Sequence, residues 1–342
     1  MNCDSVSTMI LLLVSLSLPL VASWGLFPHN HRSNSRHFSV ALARGASSNN
    51  DLESDSLEKD VDVHKKVYSM PALYDMAFGY RDFDEEVEFL LNIHEEISGS
   101  RPQRILDLAA GPARHAITAL QISSESDDLS FTCVDLSPEM ADYAQELAIE
   151  GLTEEERTKF HYVVDNICTF ELETDEQFDM AWILLGSLQH LTKNSEVVQC
   201  LTQIHKVLKP GGTVVIELPH PRETFTMVDC TRNSWNVPLE DENEQELGEL
   251  KIIWGDDGDE FNPITQVRQL TIEMKLTGAK SSDEMQSVKG VVPTRLFTSC
   301  ELDALAQIAG FKTAALYGAL EPDVSVDDEI AAFRLVTCLQ KS

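Results

Sequence analysis

Three acidic residues, Asp107, Asp135 and Asp165, each close a short apolar run: ILDL, FTCVD and FHYVVD. A carboxylate at the end of a buried strand stands where open α/β sheets bind ligands, ready to accept hydrogen bonds from them. Asp107 is followed by Ala109-Ala110-Gly111-Pro112, small residues that let a ligand approach the backbone closely. Asp135, 24 residues beyond Gly111, is suited to accept both hydroxyls of a ribose. Asp165-Asn166 is suited to an adenine amino group or ring nitrogen. A second set follows. Gly186, Ser187, Gln189 and His190 come after the apolar FDMAWILL, and Glu217 and His220 flank the end of TVVIEL. His190 is the candidate general base, within a chemistry that proton removal from an amine or hydroxyl would assist. Glu217 and His220 are candidates to meet an acceptor, and Tyr80 and Arg81 to close the pocket.

The same stretches exclude other chemistries. A dinucleotide site calls for G-x-G-x-x-G, whereas Ala-Ala-Gly-Pro-Ala-Arg supplies one glycine; G-x-x-x-x-G-K-[ST] is absent. The acidic loop WGDDGDEFNP, 254–263, lacks the spacing of a calcium loop and reads as a solvated turn. Trp254 and Arg268, which flank it, are better pocket candidates. Seven dispersed cysteines with no C-x-x-C pair give no zinc or thioredoxin-like pattern, and no metal site is assigned. With 57 Asp plus Glu against 26 Lys plus Arg, the net charge is -31, so no nucleic-acid partner is expected.

The elements that must hold these residues alternate. The spacing predicts a helix over 82–96 with an acidic first turn, a strand over 104–108 and a helix over 113–121. A strand over 131–136 leads to a helix that Ser137-Pro138-Glu139 starts well: a cap, a proline in the first turn and an acid at the positive end. Strands follow at 160–164, 178–185 and 213–218. The best-defined helix lies between the last two, over 195–212, with Val197, Leu201, Ile204 and Leu208 on one face and Pro210-Gly211-Gly212 as its stop. Such alternation implies a mainly parallel sheet covered on both faces. Segment 219–297 breaks the pattern. Its runs at 250–254, 269–276 and 290–297 predict antiparallel strands of an inserted lid. Thr298 and Glu301 form the pattern of a capping box, before two final strands at 311–318 and 332–340.

Ahead of the domain, residues 1–23 hold an apolar run of signal-peptide length, and 24–50 are acid-free and rich in Arg and Ser, like a transit peptide. Together they resemble the two-part leaders of proteins sent to algal plastids; secretion or retention in the endomembrane system is the alternative. Residues 51–67 read as an acidic, disordered linker, and 68–341 as the domain. No stable membrane span is expected in the mature chain.

The ordered set from Asp107 to LKPGG resembles the class I S-adenosylmethionine-dependent methyltransferases. The resemblance covers roughly 68–341. It implies a Rossmann-like, seven-stranded, mostly parallel sheet with a C-terminal antiparallel hairpin, and a small-molecule methyl acceptor. Asp107-Leu-Ala-Ala-Gly111 matches the family's acidic-small-Gly loop, Asp135 its ribose ligand, and Asp165 and Asn166 its adenine neighbours. YDMAFGYRDF, 74–83, matches an N-terminal element that closes over the cofactor. The implied cofactor set is Tyr80, Asp107, Ala109, Gly111, Arg114, Asp135, Leu136, Asp165, Asn166, Leu185 and Gly186. Within it Asp107 orients the loop and the cofactor amino group, and Arg114 pairs with either the cofactor carboxylate or an acidic helix. The implied catalytic set is His190, Tyr80, Glu217 and His220. The family departure is Ala-Ala-Gly-Pro in place of the commoner Gly-x-Gly. Alternatives are a protein acceptor, or a cofactor-binding regulator without transfer activity; the oligomeric state is open.

Overall fold

Leu106 and Leu108 point to one face of strand β1 (Arg104–Leu108) and Ile105 to the other, and both faces are buried. That two-sided burial is the mark of a central parallel strand covered by helices. The computed structural model describes residues 67–123, 128–172, 177–222, 233–240, 246–278 and 287–342. The expected leader, and all of the expected linker except Val67, lie outside the described residues.

Two helices precede β1: α1 (Pro71–Phe78) and α2 (Phe83–Ser98). Asp82 caps α2 by accepting from Glu85 N–H at 3.1 Å, and Gly99 ends it in the left-handed conformation. After β1 come α3 (Arg114–Ile122), β2 (Ser130–Asp135), α4 (Pro138–Gly151), the one-turn α5 (Glu154–Arg157), β3 (Phe160–Val164) and β4 (Phe178–Ile183). A 3-10 turn over Ser187–His190 then leads to α6 (Asn194–Val207) and β5 (Leu208–Pro219). After the lid, α7 (Ser299–Ile308) precedes β11 (Phe311–Tyr317) and β12 (Arg334–Lys341).

The main sheet has seven strands in the order β11-β12-β5-β4-β1-β2-β3. β1 to β5 are mutually parallel, and β12 runs antiparallel to both β5 and β11. One face packs on α6 and α7 through Val197, Leu201, Ile204, Leu302 and Leu305. The other packs on α2, α3 and α4 through Leu90, Ile117, Leu120 and Ala144. The order of the strands reverses at β1, with β2 on one side and β4 on the other, which opens a crevice beyond the C-terminal ends of β1 and β4.

The lid is a second, antiparallel sheet. Its strands are β6 (Asn233–Glu240), β7 (Glu246–Trp254), β8 (Phe261–Asn262), β9 (Val267–Thr277) and β10 (Ser287–Arg295), ordered β10-β9-β7-β6 with β8 on β9. Leu250, Ile252, Leu270, Ile272, Met274 and Val292 form its apolar face, and Leu73 and Ala77 of α1 pack on that face.

Three local expectations change. The helix over 195–212 stops at Val207, and Leu208-Lys-Pro-Gly-Gly212 belongs to β5 as an irregularity between the Phe178 and Met180 pairings. β6 joins the lid, because WNVPL shows its edge position only once it lies beside β7. Thr298 does cap α7, accepting from Glu301 N–H at 3.2 Å, but the Glu301 side chain turns away to Arg295 and Gln266. Among the described residues, no helix is long and apolar enough to cross a membrane.

Candidate active site

The loop after β1 is held in an unusual backbone shape. Ala109, Gly111 and Ala113 all take positive φ, at 54°, 53° and 53°. For alanine this left-handed conformation is strained, so the surroundings must impose it. They do so from two sides. Gly111 N–H donates to Asp135 Oδ2 at 2.9 Å, and the Tyr162 hydroxyl donates to Gly111 O at 2.6 Å. Sequence reasoning missed Tyr162; its only trace was a tyrosine in a short, half-exposed strand.

Asp135 holds the start of the next helix too, since its Oδ1 accepts from Ser137 N–H at 2.9 Å. Among the described residues no ion pair involves this carboxylate. Burial pushes it up, against the backbone N–H bonds of Ser137, Gly111 and Leu136. Each oxygen keeps a lone pair for a further donor. Beside it Leu136 and Val164 expose 70% and 49% of their surfaces, an apolar shelf next to a polar grip. Asp165 and Asn166 continue the rim. Their side chains accept from the backbone of Asn166, Glu171 and Cys168, which fixes the turn and leaves its outer edge to solvent.

Asp107 is almost fully buried. Trp182, its partner across β4, turns the indole N–H toward the carboxyl without completing a hydrogen bond. Burial pushes Asp107 up to about 7, with Trp182 drawing it down and the Asp135 charge adding to the rise. A buried carboxyl with no ion pair among the described residues fits a ligand ammonium.

After β4, Leu185 and Gly186 also take positive φ, at 55° and 74°. Glu217 at the end of β5 imposes the turn: its Oε2 accepts from Leu185 N–H at 2.8 Å and its backbone oxygen from Gly186 N–H at 3.1 Å. Arg81 grips the same carboxylate with both terminal nitrogens, and Arg334 Nε approaches it at 3.1 Å. Burial would raise Glu217, but the charges of Arg81 and Arg334 outweigh it and hold the carboxyl at about 2. That makes Glu217 a strut rather than a proton acceptor. His220 is also committed to backbone: Nε2–H donates to Val326 O at 2.9 Å, and Nδ1 accepts from Arg222 N–H at 3.1 Å.

His190 ends the 3-10 turn, with Nε2 and the Tyr68 hydroxyl 3.2 Å apart. Burial and the nearby Tyr74 and Asp135 raise the Tyr68 hydroxyl well above its ordinary value. Tyr68 leads into α1, where Tyr74 lies near both Asp135 and the Arg81–Glu217 pair. An aromatic path runs from His190 through Tyr68, Tyr74 and Phe78 to Trp235 and Trp254 of the lid, with ring centroids 4.8–5.9 Å apart. Tyr80 sits at the outer edge, 55% exposed and 6.5 Å from Trp235.

Of the two partners open to Arg114, the structure shows a helix acid. Its guanidinium forms a two-point bond to Asp75 of α1, and Asp75 also accepts from Tyr143 at 3.0 Å. Arg268 pairs with Asp259 in the acidic loop, whose carboxylate also accepts from Thr271 N–H. Among the described residues no group of three or more His, Cys, Asp and Glu is placed to hold a metal.

The strand ends thus carry Asp107, Ala109, Gly111, Asp135, Leu136, Asp165, Asn166, Leu185, Gly186 and His190, while Tyr80 lies by the lid, beside Trp235. This set fits an adenosyl sulfonium carrying an amino acid: hydroxyl acceptors at Asp135, an apolar shelf at Leu136 and an ammonium partner at Asp107.

Residues 105–212 match a family model described as a methyltransferase domain. Solved structures share the fold. One is an S-adenosylmethionine-dependent methyltransferase from Clostridium acetobutylicum, 14% identical, with a TM-score of 0.60 over 79% of this chain and 97% of that one. Another is the CcbJ methyltransferase from Streptomyces caelestis, 18% identical, TM-score 0.56, covering 76% and 90%. A third is S-adenosylmethionine-bound CalS10, an amino pentose methyltransferase of calicheamicin biosynthesis from Micromonospora echinaspora, 15% identical, TM-score 0.55, covering 86% and 100%. No curated protein matches the chain in sequence. The family model spans the stretch from β1 to the LKPGG turn, and this part of the chain is similar to methyltransferase domains, whose fold the solved structures share.

Proposed function

We propose that the protein transfers the methyl group of S-adenosylmethionine to an N, O or C nucleophile of a small molecule. When bound, the cofactor supplies an electrophilic methyl group on a sulfonium. Asp135 accepts from the ribose hydroxyls, Asp107 faces the ammonium, and Leu136, Asp165 and Asn166 border the adenine. Leu185 and Gly186, fixed by Glu217, border the acceptor side. His190 is the group that takes a proton from an amine or hydroxyl acceptor, with Tyr68 orienting its ring. The aromatic path under the lid excludes water, which in-line substitution needs.

The observation that carries this reading is the Asp135 carboxylate, anchored by Gly111 and Ser137 and open to further donors. Calorimetry with S-adenosylmethionine tests it. Binding by the wild type that Asp135→Ala weakens supports the site; no binding, or equal binding by the variant, overturns it. Turnover of methyl-labelled cofactor in metabolite extract, with the product identified by mass, then separates an enzyme from a binder. Amino sugars belong first in a defined acceptor panel, because CalS10 is an amino pentose methyltransferase. Labelled protein without a labelled small molecule would favour a protein acceptor. We also read residues 1–50 as a plastid-directing leader; residues 1–66 fused to a fluorescent protein test this by microscopy in an algal cell.

A further inference from the structure

Cys168 and Cys200 belong neither to the crevice nor to the lid. Cys168 lies in the turn after β3 that carries Asp165 and Asn166, and Cys200 lies mid-helix in α6; both are free thiols and buried. Cys168 Sγ is 3.5 Å from the backbone oxygen of Glu196. In a helix that oxygen is the acceptor for the N–H four residues on, which is Cys200. The sulfur therefore rests on the turn of α6 that presents Cys200, close enough for each thiol to bias the ionisation of the other.

The pair is asymmetric. A groove of about 460 Å³, lined by Cys168, Gln199, Gln203 and Lys206 among others, opens beside the first thiol. Cys200 is 0% exposed. Its interaction with Cys200 draws the Cys168 thiol down against burial, while the same interaction and then burial push Cys200 up. One thiol thus borders a groove and is the more easily ionised, and it rests on the helix turn that carries the other.

We propose that Cys168 and Cys200 form a redox-active dithiol that closes to a disulfide and reshapes the turn after β3. In exchange with a low-molecular-weight disulfide such as glutathione disulfide, the Cys168 thiol loses its proton and attacks one sulfur. One glutathione leaves as thiolate and takes up a proton. The Cys200 thiol then loses its proton, attacks the Cys168 sulfur and releases the second glutathione. The protein loses two protons and two electrons, and the glutathione disulfide takes them up as two thiols. A disulfide is only about 2.05 Å long, shorter than a thiol–thiol contact, so Cys168 must move toward α6. Asn166 Oδ1 accepts from Cys168 N–H at 2.8 Å, and Asn166 O accepts from Thr169 and Phe170 N–H at 2.9 and 2.8 Å. Movement of Cys168 is thereby transmitted to Asn166 and Asp165. The effect on cofactor affinity rests on the adenine-side reading above; the disulfide does not.

The test equilibrates the full chain in glutathione buffers from reduced to oxidised, blocks remaining thiols, and maps cross-linked peptides by mass. The expected result is a Cys168–Cys200 cross-link that forms in oxidised buffer, reverses with dithiothreitol and is absent in Cys200→Ser. Hydrogen exchange over 165–171 should change with it, and affinity for S-adenosylmethionine should fall about fivefold or more. Cys200→Ser should keep the reduced affinity in both buffers. Cys168 and Cys200 staying open to alkylation in oxidised buffer, or Cys168 pairing with another cysteine, overturns the proposal, as does a cross-link that leaves exchange over 165–171 unchanged. A chain that binds no S-adenosylmethionine in either state, yet forms the cross-link with the exchange change, supports the dithiol and overturns the cofactor reading instead.

Discussion

The cofactor half of the crevice and the lid are built by opposite rules. In the cofactor half, parallel strands bring their C-terminal ends to one edge, and each end carries a residue that acts on its own turn or on the turn of the strand beside it. Asp135 grips Gly111 and Ser137, and Asp165 caps its own turn. In the lid, antiparallel strands make an apolar face that becomes stable only against α1, which arrives from the start of the domain. One half is local chemistry on a rigid scaffold, and the other is long-range packing. Arg81, just after α1, and Glu217 of β5 tie the helix under the lid to the main sheet.

Removing that joint should have the largest effect. Glu217→Ala takes a countercharge from buried Arg81, which keeps only Glu86, and from half-buried Arg334, and it frees the Leu185 N–H, so urea unfolding should show a loss of about 3 kcal/mol. The wild-type carboxyl is held below its unfolded value. Its contribution is therefore complete above the unfolded pKa near 4.5 and fades as pH falls toward about 2. The variant should lack that acid-side slope in a pH series of melts.

The lid can be loosened separately. Ile272→Ala removes a fully buried side chain from the lid face and should cost about 2–4 kcal/mol. Hydrogen exchange should rise in β7 and β9 while β1 and β4 stay protected and cofactor affinity holds. Equal loss of protection in both sheets would erase the distinction between the halves.

The converse change lies in the cofactor half. Asp135→Ala should weaken S-adenosylmethionine binding about 100-fold by calorimetry, a cost of about 2.7 kcal/mol, and leave exchange in β7 and β9 unaltered.

The smallest effect is on pH dependence. Asp107 titrates at about 7, above its unfolded value. The neutral carboxyl thus supports the fold most at low pH, and this support is lost as pH rises through about 7. Cofactor binding runs the other way, because an ammonium prefers the ionised acid: affinity should rise severalfold from about pH 6 to about pH 8. Asp107→Asn should flatten both curves.

Much of the cofactor half was legible because its signals are short. Asp107, Gly111, Asp135 and Asp165 each sit beside the strand that positions them, and the apolar runs gave the parallel sheet. The lid's antiparallel strands were legible from period-two alternation, but β6 was not, because an edge strand carrying Pro238 shows no alternation without its neighbour. Glu217 and His220 illustrate the other limit. Their place at the end of β5 was readable, but their partners Arg81, Arg334 and Val326 are distant in the chain.

By itself, then, the sequence determined the sheet and the residues along its working edge, since strand periodicity and strand-end chemistry are local. Only the tertiary structure decided what those residues are free to do. It joined Glu217 to two arginines, Arg114 to Asp75, His190 to Tyr68 and Cys168 to Cys200. The reason is physical: a side chain's charge, proton and reach depend on which groups share its buried surroundings. In this chain those groups come from segments about 30 to 140 residues away, where no local pattern records them.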